Sequence, residues 1–165
     1  MSFIAVRAAN LELADQILDE ACRYLEAYGG RGGLSTSAAR RAAVLAHLGR
    51  IDEAEAWATK ATDIGASDDV MTHIYAQRAL ARVWTRRGEH RAAEHHAREA
   101  IKLVLNTDFL DEQADAYLDL AEVYERAGRH ADAVEALRSA TALYGAKGDI
   151  TGATQARMRL DAVSK

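Results

Sequence analysis

Apolar residues between positions 117 and 144 recur at helical spacing in two successive segments. The residues on these faces are Tyr117, Leu120, Ala121 and Tyr124 in the first segment, and Ala133, Ala136, Leu137, Ala140 and Leu143 in the second. Gly128 stands between the segments, where a residue just past a helix end can take the left-handed conformation. The pattern predicts a hairpin of two antiparallel helices, with large residues on the buried face of the first and mostly small ones on that of the second.

The same hairpin pattern recurs along the whole chain. Turn glycines stand at Gly49, Gly88 and Gly128, first alanines at Ala14, Ala54, Ala93 and Ala133, and second alanines at Ala21, Ala61, Ala100 and Ala140. Within each set the spacing is 39 or 40 residues. Two helix backbones approach closely only where side chains are small, which gives the alanines a physical reason. The sequence therefore predicts an all-α array of helical repeats.

The repeat spacing predicts the limits of each unit. The units are a partial repeat over residues 1–28 (helices at 3–9 and 11–28), full repeats over 35–64, 70–105 and 108–144, and a capping helix over 149–162. The inward residues are predicted to be Leu11, Ala14, Leu18, Ala21 and Leu25 in the second helix, and Ile150, Ala153, Ala156 and Leu160 in the capping helix. The glycine run at 29–33 is predicted to be a flexible connection, and the capping helix to cover the last apolar face.

These motifs resemble the tetratricopeptide repeat. The family pattern is an aromatic residue, Leu-Gly/Ala and Tyr at helical spacing, then Ala, Phe/Leu and Ala in the second helix. In this chain it reads Tyr117-x2-Leu120-Ala121-x2-Tyr124, then Ala133-x3-Leu137, then Ala140. The family's closing proline is absent, and Ser37 and Arg41 stand where the pattern prefers leucine. The resemblance implies an α-solenoid, a right-handed superhelix of antiparallel helix pairs whose first helices line a concave groove.

Residues 11–162, and best residues 106–157, are also similar to the C-terminal repeats of large bacterial signalling proteins. Those proteins carry a cyclase or DNA-binding domain followed by an ATPase of the AAA/STAND type. This resemblance implies the interaction or sensor part of a bacterial signalling or transcription regulator. It implies no catalysis, because the catalytic and ATP-binding segments of those proteins are not among the matched residues.

Composition narrows the function further. The net charge is −4 and no apolar run approaches the length of a membrane span, so neither nucleic acid nor a membrane is expected as a direct partner. The single cysteine, Cys22, excludes an internal disulfide and is predicted to be a packing residue. The N-terminus lacks the features of a signal peptide, so the cytoplasm is the expected compartment.

No set of residues points to catalysis, a cofactor or a metal. The glycine run at 29–33 lacks the Lys-Ser/Thr of a phosphate-binding loop. The cluster of His90, Glu94, His95 and His96 lacks a zinc-binding spacing and is predicted to be a solvated face. Trp84 is predicted to lie in the core and Trp57 to pack between repeats. The chain is therefore predicted not to be an enzyme.

Charge is sorted by helix. Residues 34–48 carry two arginines and no acid, residues 70–88 carry four arginines and no acid, and residues 108–127 carry seven acids against one arginine. The resemblance implies that these first helices line the groove. The candidate binding residues are Arg40, His47, Arg78, Arg82, Arg86, Asp119, Glu122 and Glu125, with Ala43 between the first two. The groove is then expected to be basic at one end and acidic at the other.

Two interpretations of this charge pattern stay open. The groove could bind a bipolar peptide or protein segment. Alternatively, neighbouring helices could neutralise each other through pairs such as Arg82 or Arg86 with Asp119 or Glu122, which as exposed pairs would contribute only ~0–1 kcal/mol each. The carboxylate clamp of chaperone-binding members is not expected, since Asp115 and Asp119 stand where it needs Lys and Arg.

The favoured function is a protein- or peptide-binding module, and a homo-oligomer is compatible with it. The alternative is a sensor that holds a small molecule or peptide in the groove near Arg78, Arg82 and Arg86. A deep pocket would favour the sensor, and an open trough the binding module.

Overall fold

The structure, a computed structural model, describes residues 10–164. Within that range the chain forms eight α-helices and no strand. The helices are α1 (Leu11–Tyr28), α2 (Arg31–His47), α3 (Ile51–Ile64), α4 (Val70–Arg86), α5 (His90–Val104), α6 (Leu110–Arg126), α7 (His130–Lys147) and α8 (Ile150–Val163). The all-α prediction is confirmed for these residues. The helix predicted over residues 3–9 lies outside them.

The turn inside each helix pair repeats the same hydrogen bonds. Gly49, Gly88 and Gly128 have φ values of 78°, 78° and 72°, which favour glycine. The next residue donates its N–H to a carbonyl five residues back, for example from Arg129 to Tyr124 at 2.9 Å. This pattern, with the glycine N–H bonded to the carbonyl three residues back, satisfies the free carbonyls of the helix end. The predicted turn glycines therefore set the geometry of each hairpin.

The glycine run at 29–33 is not the flexible connection that the sequence suggested. Helix α2 begins at Arg31, so Gly32 and Gly33 lie in its first turn, and the connection is Gly29 and Gly30 alone. The reason is the close approach to Leu25: a Cβ on Gly30 or Gly33 would stand 2.9 or 3.2 Å from Leu25 Cδ2. The run lets α2 start directly beside the end of α1.

The helices pack as a stack of antiparallel pairs, α2–α3, α4–α5 and α6–α7, preceded by α1 and followed by α8. Across the pairs, the first helices α2, α4 and α6 pack side by side. The second helices make no comparable contact with one another among the described residues. First helices that lie closer together than second helices place α2, α4 and α6 on the inside of the array. The predicted α-solenoid architecture is confirmed.

The repeat alanines form the contacts between helices. Fully buried members of the two alanine series are Ala14, Ala54, Ala93 and Ala133, and Ala61, Ala100 and Ala140. Ala21 is the exception, since it is only partly buried and Cys22 beside it is fully buried. The prediction that Ala21 is inward was therefore wrong by one position, because Ala14, Leu18 and Cys22 form the i, i+4, i+8 stripe of α1. Cys22 packs as predicted.

Helix α8 lies over the end of the stack but buries little of its own surface. Ala156 is its fully buried residue, and it packs in a cluster with Ala140 and Tyr144 of α7. Ile150, predicted to be inward, is 81% exposed, and Met158 is 68% exposed. The predicted inward set was therefore one residue too large, since Ile150 is the first residue of the helix and stays largely exposed. No helix between residues 10 and 164 is long and apolar enough to cross a membrane.

A substitution at Gly152 tests the contact between α8 and Tyr144 of α7. A Cβ at this position would stand 2.6 Å from Cδ1 of Tyr144. We expect Gly152→Ala to lower the free energy of unfolding by about 1–3 kcal/mol through overpacking, measured by urea denaturation. Gly145→Ala on α7 is the matched control, because nothing lies within 4 Å of its Cβ position and it should stabilise by up to ~1 kcal/mol. Equal stabilities for the two variants would contradict the contact of α8 with Tyr144.

Candidate functional site

The inner surface is defined here as the face of α2, α4 and α6 that points away from the second helices. The predicted groove residues belong to these three helices: Arg40, Ala43 and His47 to α2, Arg78, Arg82 and Arg86 to α4, and Asp119, Glu122 and Glu125 to α6. Their exposure differs widely: Asp119 and Arg78 are buried, while Arg86 is exposed. The inner surface is therefore not a uniform stripe of solvated charges.

Arg78 is the centre of a buried ion-pair network that joins α4 to α6. Its Nε lies 2.7 Å from Asp119 Oδ2, its Nη1 2.8 Å from Glu112 Oε2, and its Nη2 3.2 Å from Asp115 Oδ2. The Arg78 side chain is 10% exposed and that of Asp119 is 1% exposed. Three carboxylates around one guanidinium compensate a charge that would otherwise be very unfavourable in this position.

Arg82 and Arg86 extend the network toward the C-terminal end of α4. Arg82 pairs with Asp119 and places its Nη1 2.7 Å from Glu122 Oε2. Arg86 is 40% exposed and lies 3.8 Å from the other Glu122 oxygen. The internal neutralisation that the sequence left open is thus present. The expectation that these would be exposed pairs was wrong for Arg82 and Asp119, because the first helices pack closely enough to exclude water.

The network shifts the pKa values of its members. Burial by itself would raise the pKa of Asp119, but the charges of Arg82 and Arg78 outweigh it and hold that pKa below its ordinary value. Burial likewise disfavours the charged form of Arg78, and the carboxylates of Asp119, Asp115 and Glu112 raise its pKa well above the usual value. The charged forms of Arg78 and Asp119 therefore depend on each other and on the partners around them.

Glu125, at the acidic end of the predicted groove, pairs with the last helix. Both of its carboxylate oxygens lie 3.1 Å from Nη2 of Arg159 on α8. The basic stripe of α4 and the acidic stripe of α6 thus face each other across adjacent helices, and the remaining acid turns to α8. They do not stand at opposite ends of an open trough.

His47 lies half-buried on α2 near the basic stripe of α4. Burial and then the positive charge of Arg82 lower the pKa of His47 to about 3. The imidazole is therefore neutral at physiological pH. His47 contributes a polar but uncharged group to the inner surface.

Arg40 lies over the ring of Tyr75, a residue of α4 that the sequence analysis did not single out. The guanidinium carbon is 5.0 Å from the ring centroid, and Nη2 is 3.4 Å from the Tyr75 hydroxyl. That hydroxyl donates a hydrogen bond of 2.6 Å to Glu112 Oε1. Tyr75 therefore connects Arg40 of α2 to the network between α4 and α6.

Arg41 belongs to a second buried network that the sequence analysis missed. Its Nε lies 2.8 Å from Asp15 Oδ1, its Nη1 pairs with Asp19, and its guanidinium stacks over Trp57 at 4.6 Å. Arg41 stands where the family pattern prefers leucine, and in the structure it is buried with these partners. The available signal was Asp15, an acid beside the buried Ala14 on α1.

The other candidate residues from the sequence take part in ion pairs or in core packing. Glu94 of the histidine cluster pairs with Arg98 and Arg129 and accepts a hydrogen bond of 3.0 Å from the Tyr124 hydroxyl. Between residues 10 and 164, no group of three His, Cys, Asp or Glu side chains is placed to hold a metal ion. Trp84 packs at the edge of the central core cluster, and Trp57 packs against two core clusters.

Comparison with known proteins agrees with the helix-pair architecture. Residues 114–150 match the family model described as tetratricopeptide repeat. With the stacked helix pairs, this match supports a tetratricopeptide-repeat protein. The matched segment contains most of α6, all of α7 and the first residue of α8. Tetratricopeptide repeats generally mediate protein–protein interactions. None of the curated proteins searched matches the chain.

Asp119 tests the buried network. Asp119→Asn removes the charge that pairs with both Arg78 and Arg82, and we expect it to lower the free energy of unfolding by about 3–5 kcal/mol. Asp132→Asn is the matched control, since Asp132 is half-exposed and pairs with Arg129, and its effect should stay within about 1 kcal/mol. Urea denaturation of both variants measures the difference. Equal effects would contradict a buried role for Asp119.

His47 predicts a pH dependence of stability. Its pKa is about 3 in the folded chain against 6.5 for an ordinary imidazole. As the pH falls from 7 to 5, the unfolded chain takes up a proton at this residue that the folded chain does not. The free energy of unfolding should then fall below pH 6.5 by up to about 1.4 kcal/mol per pH unit.

We expect His47→Gln to lose less stability than the parent over this range, measured by urea denaturation at pH 7 and pH 5. The depressed pKa of Asp119 acts in a different window: its stabilisation is complete above about pH 4 and is lost below it. Identical losses for parent and variant between pH 7 and 5 would show that His47 is solvated.

Proposed function

We propose that this chain is a non-enzymatic module that binds a protein or peptide segment along its inner surface. The observation that carries the proposal is the tetratricopeptide-repeat match together with three first helices that pack side by side. The partly exposed residues Arg40, Ala43, His47 and Arg86 border that layer. They provide a cation, a small apolar site, a neutral imidazole and a second cation for a bound segment.

The buried network favours a peptide over a small anionic molecule as the ligand. Arg78 and Arg82, at the centre of the alternative sensor site, already contact four carboxylates between them. A small anion would have to displace those carboxylates. A cavity of about 430 Å³ lies instead at the corner of α7 and α8, lined in part by Gly145, Ile150 and Met158. An extended segment can use the borders of the inner surface without breaking the network.

We also propose that the module serves as the interaction part of a bacterial signalling or transcription regulator. The support is the similarity of residues 106–157 to the C-terminal repeats of such proteins. The peptide-binding proposal does not depend on this assignment.

A steric block tests the proposed surface. A library of displayed random peptides is selected on the parent chain, and the enriched peptides are measured against Ala43→Tyr. Ala43 lies half-buried on α2 between Arg40 and His47, so the added ring should weaken binding by at least about tenfold. Ala56→Tyr, at an exposed position of α3, is the matched control and should leave the affinity unchanged.

Thermal melts confirm that both variants fold. Peptides that bind the parent and the two variants equally would place the binding site elsewhere. A selection that enriches no peptide would count against the proposed function itself.

A further inference from the structure

Arg40 has no carboxylate partner, unlike the arginines around it. Arg41 beside it pairs with Asp15 and Asp19, and Arg78 and Arg82 pair across α4 and α6. No carboxylate among residues 10–164 lies in ion-pair range of Arg40. The sequence of residues 1–9 contains no Asp or Glu that could supply one. Among the residues that the structure describes, no ion pair therefore compensates the charge of Arg40.

The guanidinium of Arg40 is nonetheless held in place. Its stacking on Tyr75 and the contact of 3.4 Å between Nη2 and the Tyr75 hydroxyl orient its plane. Tyr75 is itself fixed by its hydrogen bond to Glu112. The Nε of Arg40 is buried and donates no hydrogen bond within the described residues. A desolvated donor without an acceptor is unfavourable. Because Nε is closed to solvent, an incoming anion would have to contact the Nη groups of Arg40.

The acid that the structure places near Arg40 already has other partners. Helix α2 has no Asp or Glu, and the residues one and two turns on are Ala43 and His47, the second of which is neutral. Glu112, the nearest acid through Tyr75, already accepts from Arg78 and from the Tyr75 hydroxyl. An anion that contacts Arg40 thus meets a cation that Tyr75 already orients, beside the small Ala43 and the neutral His47.

We infer that Arg40 receives a carboxylate of the bound segment, so that the partner is a peptide with an acidic residue placed against α2. This inference rests on the proposed function and deepens it. The planar guanidinium suits a carboxylate, whose two oxygens it can bind with parallel N–H groups. The carboxylate can come from an Asp or Glu side chain or from a peptide C-terminus, and the experiment separates these two sources.

The first measurement is the composition of peptides selected from the displayed library on the parent chain. We expect enrichment of Asp or Glu at one position. Synthetic forms of the best peptide then separate the sources. Replacing that acid by its amide should weaken binding about tenfold if a side chain is bound. Amidating a free C-terminus should do so if the terminus is bound.

The second measurement uses variants of Arg40. Arg40→Met should weaken the acidic peptide about tenfold and leave its amide form unaffected, and Arg40→Lys should restore part of the affinity. Arg91→Met, at an exposed position of α5, is the matched control and should change neither. A role for Arg40 in the fold alone predicts instead that both peptide forms weaken together.

Stability separates Arg40 from its paired neighbour. Arg40→Met should leave the melting temperature unchanged or raised, while Arg41→Met should lower it because Asp15 loses a buried partner. Suppose that the selected peptides show no enrichment of acidic residues but Ala43→Tyr still blocks their binding. This result would overturn the role of Arg40 and leave the proposed function standing. The absence of any peptide blocked by Ala43→Tyr would overturn both.

Discussion

Close contact between helix backbones at alanine positions is the constraint on which this array depends. Fully buried alanines such as Ala54, Ala93 and Ala133 bring neighbouring helices together, but each buries little apolar area. The same closeness places the long side chains of α4 against those of α6, where water cannot solvate them. A charged residue buried between α4 and α6 must therefore be paired, and Arg78 with its three carboxylates is the result. The alanine core and the buried ion pairs are two consequences of one spacing.

A second set of ion pairs connects successive repeats at their turns. Arg50, Arg87 and Arg129, beside the turn glycines, pair with Asp15, Glu55 and Glu94 of the preceding second helix. Each acid follows directly after a repeat alanine, so the pairs recur with the period of the chain. In the last repeat that position is Val134, and no pair of this kind continues the series among the described residues. The ion pairs between α4 and α6 are buried, and those at the turns are partly exposed to solvent. Both sets join successive repeats and so favour the same stacking of the helix pairs.

Much of the fold follows from the sequence because its signals are local. Apolar spacing and the left-handed glycines predict the helices and their turns to within a few residues. The misassigned features depend on contacts across the fold. The start of α2 depends on how closely Leu25 approaches Gly33, and the exposure of Ile150 depends on where α7 ends. Helical periodicity assigns a face to each residue, but it does not determine how far a neighbouring element extends over that face.

The candidate site was harder to predict than the fold for a related reason. The sequence shows that α4 is basic and α6 acidic, but not whether their side chains meet, because Arg78 and Asp119 are 41 residues apart. That separation is close to the length of one repeat. An acid about one repeat after an arginine is therefore the sequence signal that would predict such an ion pair. By this rule Arg41 matches no acid one period away, and its partners Asp15 and Asp19 lie 26 and 22 residues before it. The rule thus captures first-helix pairs and misses pairs to a second helix.

The distribution of paired charges also limits how this surface can recognise a partner. Arginines fixed by buried carboxylates are poor contacts for a ligand, because forming a new ion pair would break an existing one. Recognition then rests on groups that the fold orients without neutralising. That description fits Arg40, which Tyr75 holds and with which no carboxylate of the described residues forms an ion pair. The charge pattern of the sequence suggested a groove of two poles, whereas the described residues pair the charges of α4 and α6 with each other and leave Arg40 of α2 without a carboxylate partner.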